Sequence, residues 1–321
     1  MSDEPHPLVS IGMPVRNNQA TLAQALRSIV HKTFTDWELL LIDDGSTDDS
    51  PAIASRFADA DGRIRVFSDG QQLGLPERLN QAIAASRGTY FARMDGDDVS
   101  YPRRLERQIE YLRRYPSVDL VGCGAIVFRG NGTILGKLVP PERHSAICAH
   151  VYSHIPIMHP TFLGRINFFR EFGYRSSAHR CEDQDLLLRG AMVSHRVRKK
   201  SWDNMLKAQD QDLLLRACSQ AHYANVPEIL LGYREELRLS KILKTRHYVS
   251  RSFFSVFIHR GQPFSAVAAV ALQALKGMVD IIAISSRLNY HLLWHRARPI
   301  IQAERLQWED VWAKLINAEG A

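Results

Sequence analysis

The sequence predicts an α/β fold with a doubly wound, mostly parallel sheet and a helical C-terminal extension. Short apolar runs alternate with helical patterns through the first third of the 321 residues, as in parallel strands joined by crossover helices. From position 234 onwards the strand patterns stop and helical patterns take over. We therefore expect an α/β domain over residues 1–233 and a helical region over residues 234–321.

Four apolar runs in the first half are predicted as strands of this sheet. Each is short, bounded by polar residues and rich in apolar residues, as expected for strands buried on both faces. They are Leu8–Met13, Trp37–Ile42, Arg63–Phe67 and Tyr90–Met94. Two later runs, Val118–Val121 and Ala125–Phe128, are predicted as two separate strands.

Helices are predicted between the first four strands. Thr21 is the expected N-cap of the first helix, whose apolar residues recur at helical spacing from Leu22 to Val30. The polar turn Asp43–Asp48 opens the next helix, and Leu79–Ala85 belongs to a third. This order of elements is typical of a doubly wound sheet.

Polar segments follow three of the strands at their carboxyl ends, where ligands bind in such sheets. These segments are Pro14–Asn18, Asp43-Asp44 and Asp95–Asp98, and we expect them to share one crevice. The first strand is not followed by GxGxxG, and the chain contains no GxxxxGK[ST] motif. A phosphate-bearing ligand would therefore be held by a metal ion and basic side chains.

The third segment carries three carboxylates in four positions, at Asp95, Asp97 and Asp98. Like charges this close are unfavourable unless a cation or backbone amides neutralise them. A divalent ion, Mg²⁺ or Mn²⁺, completed by substrate phosphates would do so. A solvated acidic turn is the alternative.

The overall charge is basic, with 41 Lys and Arg against 34 Asp and Glu. This suits an anionic partner such as a nucleotide, an acidic polymer or a membrane surface. The basic residues are spread out and form no RNP-like or zinc-finger pattern, so we expect no nucleic-acid partner. The four cysteines are scattered without a CxxC pair, which favours reduced thiols, and no signal peptide is evident. We expect a cytoplasmic protein.

Four sequence blocks are distinctive in combination. They are Val9–Pro14, Thr33–Leu39, Ile42–Asp48, and Arg93–Asp98 with Pro102 and Arg104. Together they resemble the family-two glycosyltransferases, nucleotide-sugar enzymes of the GT-A fold. The resemblance covers about the first two-thirds of the chain, and the blocks occur in the order found in the family.

The resemblance implies a role for several residues of the donor site. Pro14, Val15 and Arg16 would line the base and ribose pocket, although Arg16 stands where the family usually has an aromatic residue. Asp44 would accept a hydrogen bond from the nucleobase, usually uracil, whereas Asp43 is also explained as a capping residue.

Further residues would complete the active site. Asp95 would contact the ribose and the metal, and Asp97 would ligate the metal directly. His159 would line the cleft, although a structural histidine is an equal alternative. Glu182 and Asp183 resemble the Glu-Asp pair of the family, in which the aspartate is the base of inverting members.

The segment Asp183–Arg189 recurs identically as Asp210–Arg216. We interpret residues 190–216 as an insertion that carries a second copy of the motif. The first copy is preceded by Glu182 and the second by Gln209, so we assign the base to Asp183 rather than Asp210.

The helical region contains a long apolar stretch, Phe264–Ser285, interrupted by Gln273, Lys276 and Asp280. Polar groups at bilayer depth are unfavourable, so we expect an amphipathic helix on the membrane surface, next to basic residues from Arg234 to Arg251. The protein would then attach peripherally to the inner membrane face. A helical cap on the soluble fold is the alternative.

These observations predict a metal-dependent, inverting glycosyltransferase. It would use a nucleotide-sugar donor, UDP-linked by resemblance, and an acceptor hydroxyl on a glycan or lipid-linked glycan. A relative that binds a nucleotide sugar without transferring it is the first alternative, because the duplicated motif disturbs the region of the base. A nucleotidyltransferase is the second, but the Gly-rich loop expected near its first strand is missing.

Overall fold

The computed structural model describes residues 6–150, 157–174, 221–235, 263–285 and 298–317. Within these ranges one mixed sheet is flanked by helices. Its strands are β1 (Val9–Val15), β2 (Trp37–Asp43), β3 (Ile64–Ser68), β4 (Tyr90–Arg93), β5 (Val99–Ser100), β6 (Leu120–Phe128), β7 (Ile134–Leu138), β8 (Leu163–Arg165) and β9 (Tyr223–Arg234). The α-helices are α1 (Leu22–Val30), α2 (Ser50–Ala60), α3 (Leu75–Ala85), α4 (Arg104–Arg114), α5 (His144–His150), α6 (Ile166–Phe172), α7 (Pro263–Ser285) and α8 (Gln302–Asn317).

The first four strands form the parallel half of the sheet. Their order is β3-β2-β1-β4, and Ile11 of β1 lies between Leu39 and Ala92 of its two neighbours. The order continues as β8-β6-β9-β5, in which β8 runs antiparallel to β4 and β6 while β9 runs parallel to β6. The predicted parallel sheet is present, and antiparallel strands extend it on one side.

The prediction of two strands between Val118 and Phe128 is wrong, because β6 is continuous over this range from Leu120 onwards. The pairing register with β9 shifts on both sides of Gly124 because β9 carries the extra residues, which are Pro227, Glu228 and Leu230. The irregularity therefore lies in β9, and β6 continues through its glycines without a break. Gly122 is also tightly packed, since a Cβ there would lie 2.3 Å from the Asn225 side chain.

Two hydrophobic cores lie on opposite faces of the sheet. Alternate residues of β2 point to each face, with Leu39 and Leu41 in one core and Leu40 and Ile42 in the other. Helices α1, α2 and α4 cover the first face, and α3, α5 and α6 cover the second. This double coverage is why the central strands are almost entirely apolar.

A third core connects the C-terminal helix α8 to the sheet. Trp308 of α8 is buried and lies 4.5 Å from Phe128 of β6 and 6.1 Å from Tyr101, measured between ring centroids. Its indole Nε1 donates a hydrogen bond of 2.8 Å to the carbonyl of Gly132. Part of the predicted helical extension therefore packs against the α/β fold.

Helix α7 confirms the helix expected over Phe264–Ser285 and carries several exposed apolar residues. Phe264 is 91% exposed, Val267 63% and Ile282 65%. Within the described ranges, no helix combines the length and the hydropathy needed to span a bilayer.

The expectation of reduced thiols holds for one cysteine and fails for another. Cys123 is a buried free thiol, and burial raises its pKa to about 11. Cys148 is disulfide-bonded, which the spacing of the cysteines did not reveal.

Candidate active site

The three polar segments meet around Val15, the last residue of β1. The backbone amide of Asp44 donates a hydrogen bond of 2.9 Å to the Val15 carbonyl. On the other side, a methyl group added at Gly96 would lie 2.8 Å from Cγ1 of Val15. The ends of β1, β2 and β4 therefore lie together at one edge of the sheet, as its topology predicts.

The loop after β1 is tied to the loop after β2. Pro14 and Val15 are buried, whereas Arg16 is exposed. Asn17 adopts a positive φ of 53°, its amide donates to Ser46 Oγ at 3.0 Å, and its side-chain oxygen accepts from the Thr47 amide at 2.8 Å. These contacts hold the residues predicted to flank the base and ribose beside the aspartates of the second segment.

Asp43 and Asp44 have different environments. Asp43 accepts hydrogen bonds from the Ser46 amide at 3.2 Å and the Ser68 hydroxyl at 3.0 Å, so it stabilises the turn. Asp44 is buried, and its Oδ1 accepts from the amides of Leu73 at 2.7 Å and Gly74 at 3.0 Å. The second aspartate therefore connects β2 to the loop before α3.

Arg78 of α3 is a site residue that the sequence analysis missed. Its guanidinium is almost fully buried, and Nε donates to Asp44 Oδ1 at 3.0 Å. The two Nη atoms donate to both carboxylate oxygens of Asp69, to Gln81 and to the carbonyl of Gln71. The pKa of Asp69 falls to about 2 because of these bonds. The sequence contained one signal for this role, because Arg78 lies among the apolar residues on the buried face of α3.

The acidic turn brings three carboxylates together. One oxygen from each of Asp95, Asp97 and Asp98 lies within 4.8 Å of the others. Asp95 and Asp97 are partly exposed and Asp98 is buried. Burial, and then the charges of the other two aspartates, raise the pKa of Asp98 well above its usual value.

This turn suits a hard divalent cation. Asp98 Oδ1 accepts a hydrogen bond of 2.8 Å from the Arg234 amide, whereas Oδ2 is buried without a hydrogen-bond partner among the described residues. A buried carboxylate oxygen with no donor is unfavourable unless another positive group balances it. Mg²⁺ and Mn²⁺ prefer oxygen ligands, and one or two carboxylates completed by substrate phosphates are a usual set for Mg²⁺.

Arginines support the acidic turn from inside the fold. Arg93 of β4 forms a salt bridge with Asp95, and its carbonyl accepts a bond of 2.9 Å from the buried Arg104. Arg234 donates from Nε to the Asp97 carbonyl at 2.6 Å. These cations partly balance the negative charge and fix the backbone that presents it.

Thr21 does not act as the N-cap that the sequence predicts. Its side chain makes no capping hydrogen bond to α1 and donates instead to the Gly96 carbonyl at 3.0 Å. A capping side chain would accept a hydrogen bond from an amide in the first turn of α1, so the bond that Thr21 donates is a different contact, and it ties the start of α1 to the acidic turn.

His159 lies near Arg93, which supports the acidic turn, and contacts Tyr174. Its Nε2 is 3.0 Å from the Tyr174 hydroxyl. Desolvation, followed by the charge of Arg93, lowers the pKa of His159 well below its ordinary value, so the ring is neutral near pH 7. Asn80 of α3 holds Tyr174 further through two bonds of 2.7 Å to its backbone. These contacts fix the position of the ring, and the role of His159 in lining the cleft stays a prediction.

Several predicted residues lie outside the described residues. They are Glu182, Asp183, the repeated motif at Asp210–Arg216 and the inserted segment 190–216. The role of Asp183 as the base remains a prediction.

Comparison with families and curated proteins gives a consistent result. The model of the family described as Glycosyl transferase family 2 matches residues 10–172, just over half of the chain. The provisionally named glycosyltransferase EpsE of Bacillus subtilis is 36% identical over 187 residues, which cover 57% of this chain and 66% of EpsE. The Escherichia coli protein named UDP-Glc:alpha-D-GlcNAc-diphosphoundecaprenol beta-1,3-glucosyltransferase WfgD is 31% identical over 136 residues, which cover 42% of this chain and 52% of WfgD. This chain thus spans about half to two-thirds of the length of these relatives.

Two solved structures have a similar fold. TarS residues 1–349 of S. aureus, in complex with UDP-GlcNAc, superposes with a TM-score of 0.52 and 14% identity, covering 97% of this chain and 81% of that one. The mannosyltransferase PcManGT of Pyrobaculum calidifontis, in complex with GDP-Man and Mn2+, gives a TM-score of 0.53 and 15% identity, covering 98% and 86%. The mixed sheet with flanking helices is thus the GT-A arrangement.

Proposed function

Because this chain belongs to glycosyl transferase family 2, we propose that it transfers a sugar from a nucleoside-diphosphate-sugar donor to an acceptor hydroxyl. The observation that carries this proposal is the meeting of Asp44 and the acidic turn on either side of Val15. A nucleobase at the first and a diphosphate at the second would occupy opposite ends of one crevice.

The donor is a UDP-sugar in this proposal. Pro14, Val15 and Arg16 flank the base and ribose, and Asp44 accepts a hydrogen bond from the uracil. The printed name of WfgD contains UDP-Glc, and the TarS structure contains UDP-GlcNAc. Both are consistent with a uridine nucleotide, although PcManGT is bound to GDP-Man.

Asp97 and Asp95 hold a divalent cation, Mn²⁺ or Mg²⁺, with Asp98 behind them. When bound, such a cation neutralises the negative charge that develops on the departing diphosphate. The buried Oδ2 of Asp98 and the cluster of three carboxylate oxygens support this assignment. Arg93 and Arg234 keep the turn in place, so the ligands are arranged before the donor arrives.

The reaction inverts the anomeric centre, with Asp183 as the base and Glu182 beside it. A carboxylate on the side of the sugar away from the diphosphate removes the acceptor proton as the hydroxyl attacks. The segment that leads to Asp183 begins after Tyr174, which Asn80 and His159 hold close to Arg93.

The acceptor is a glycan or a lipid-linked glycan, and α7 attaches the protein to an anionic membrane surface. The name of WfgD includes a diphosphoundecaprenol-linked sugar. Exposed apolar residues of α7, such as Phe264 and Ile282, could insert at the interface. The basic residues from Arg238 to Arg251 would favour anionic lipids. Arg234 was expected to belong to this stretch, but it is buried behind the acidic turn and takes no part.

The enzymatic proposal is tested by incubating the protein with UDP-sugars, Mn²⁺ and candidate acceptors and measuring UDP release. We expect release to require the metal and to fall by at least about 100-fold in Asp97→Asn and Asp183→Asn, since each removes a charge that acts in the transition state. Asp49→Asn is the matched control, because Asp49 is an exposed carboxylate near the same edge. Binding of UDP-sugars without any UDP release would favour the binding-only alternative, and pyrophosphate release would favour a nucleotidyltransferase.

The membrane proposal is tested by sedimentation with phosphatidylglycerol or phosphatidylcholine vesicles. We expect binding to the anionic vesicles that weakens with salt and is lost in Phe264→Ser/Val267→Ser. Leu306→Ser is the control, since Leu306 of α8 is 57% exposed. Protein that stays in the supernatant with anionic vesicles at low salt would exclude this attachment.

A further inference from the structure

The two carboxylate oxygens of Asp44 differ in how many hydrogen bonds they already accept from the protein. Oδ1 accepts three hydrogen bonds, from the amides of Leu73 and Gly74 and from Arg78 Nε, at 2.7, 3.0 and 3.0 Å. Among the described residues, Oδ2 is reached by one donor, the Gly74 amide, at 3.2 Å. That amide is shared between the two oxygens, so it occupies Oδ2 only weakly.

The free lone pairs of the Asp44 carboxylate determine which hydrogen bonds a ligand can donate to it. An ionised carboxylate has about four acceptor sites, two on each oxygen. Three donors already crowd Oδ1, so no direction remains there for a ligand. Asp44 can therefore accept one strong hydrogen bond from a bound base, and it must accept that bond at Oδ2.

Nucleobases differ in the number of donors that they direct at such a carboxylate. Uracil and thymine offer a single donor, N3–H, between two carbonyl oxygens. Guanine offers two adjacent donors, N1–H and N2–H, which need both oxygens of one carboxylate. Cytosine has an N4 amino group that can donate, but its neighbouring ring N3 is unprotonated. The N3 lone pair would repel a carboxylate that accepts from N4.

We propose that Arg78 sets the nucleobase specificity by occupying Oδ1 of Asp44, so that the site accepts a base with one N–H donor and rejects guanine. This inference rests on the proposed function and adds a residue that determines its donor class. Arg78 acts through Asp44 and is a positioning residue.

The surroundings of Arg78 keep it in this position. All five of its N–H groups have acceptors, in Asp44, Asp69, Gln81 and the Gln71 carbonyl. The loop that it binds also packs closely on Gly45, where a Cβ would lie 3.0 Å from the Gln71 backbone. The guanidinium is 1% exposed, so it cannot swing into solvent to free Oδ1 for guanine.

The test is isothermal titration calorimetry of the full-length protein with UDP, GDP and CDP in the presence of Mn²⁺. The measured quantity is the dissociation constant of each nucleotide. For the wild type we expect UDP to bind at least about tenfold more tightly than either of the others, since one unmatched buried polar group is enough for such a ratio. In Arg78→Met we expect UDP to bind more weakly and the ratio of GDP to UDP dissociation constants to fall to about threefold or less. CDP should remain weak in both proteins, because its N3 still faces the carboxylate.

Arg65→Met is the matched control. Arg65 also pairs with a buried carboxylate, Glu38, at 2.9 Å, but this pair lies away from the loop after β3. We expect Arg65→Met to retain the wild-type ratio, and thermal melts of both variants will show whether they are folded. If the role of Arg78 were merely structural, Arg78→Met would weaken the binding of all three nucleotides in proportion. The ratio of GDP to UDP dissociation constants would then be unchanged.

The outcomes separate this inference from the proposed function. Equal binding of GDP and UDP by the wild type, or an unchanged ratio in folded Arg78→Met, overturns the inference and leaves a nucleotide-sugar enzyme in place. Failure of the wild type to bind any of the three nucleotides overturns the proposed function itself.

Discussion

Nε of Arg234 donates a hydrogen bond of 2.6 Å to the carbonyl oxygen of Asp97. Arg234 ends β9, so a strand more than a hundred residues away in the chain supports the acidic turn from behind. The same guanidinium donates to Gln24 at 2.7 Å and lies 4.7 Å from the ring of Phe128. The position of the carboxylates thus depends on contacts that extend from α1 to the far side of the sheet.

The first prediction concerns this support. Arg234→Lys keeps the charge but loses the planar fork, so it cannot serve the same acceptors together. We expect Mn²⁺ affinity, measured by titration in the presence of UDP, to fall roughly 10- to 100-fold, as for other residues that orient metal ligands. Arg63→Lys is the control, because Arg63 lies 3.8 Å from the Trp37 ring and pairs with Asp61. Equal losses in the two variants would argue against the role of Arg234.

The second prediction concerns the contact between the acidic turn and β1. A methyl group at Gly96 would lie 2.8 Å from Val15, closer than side chains tolerate, so Gly96→Ala must move the turn. We expect the rate of UDP release to fall by at least about tenfold, since small displacements of catalytic groups are costly. In Gly62→Ala the added methyl meets nothing within 4 Å, and this variant should retain the wild-type rate. A fully active Gly96→Ala enzyme would contradict the prediction.

The third prediction concerns the packing of α8. Trp308→Ala removes a buried ring between Tyr101 and Phe128 together with its bond to Gly132. We expect the free energy of unfolding, measured with urea, to fall by about 3–5 kcal/mol, the usual loss for a buried tryptophan. Leu306→Ala on the exposed side of the same helix should change it by less than about 0.5 kcal/mol. A small effect of Trp308→Ala would mean that α8 is not part of the folded core.

The fourth prediction concerns the pH dependence of stability. The pKa of His159 is lower in the folded protein than in the unfolded chain, so below about pH 6.5 the unfolded chain gains a proton that the folded protein does not. Stability from this group is complete above that pH and is lost on acidification, by up to about 1.4 kcal/mol per pH unit.

The comparison variant for this effect is His159→Gln, which retains polar atoms to face the Tyr174 hydroxyl. We expect urea unfolding of the wild type to weaken more steeply between pH 7.5 and pH 5.5 than that of His159→Gln. Identical slopes would show that His159 titrates alike in the folded and unfolded chains.

Local patterns predicted the first half of the fold well. The strands beginning at Trp37 and Tyr90 are recognisable because buried parallel strands are short and apolar. The meeting of the three polar segments followed from topology alone, since carboxyl ends of parallel strands meet at one edge. The continuity of β6 was missed because a glycine in an apolar run is as typical of a strand that other groups approach closely, as at Gly122, as it is of a strand end.

The sequence by itself determined the parallel half of the sheet, the three polar strand ends and the acidic cluster at Asp95–Asp98. Only the tertiary structure decided which groups hold them in place. Arg78 reaches Asp44 across 34 positions and Arg234 reaches Asp97 across 137, and the acceptor in the second case is a backbone carbonyl. Every residue has such a carbonyl, so no side-chain pattern can reveal which one a distant arginine will bind.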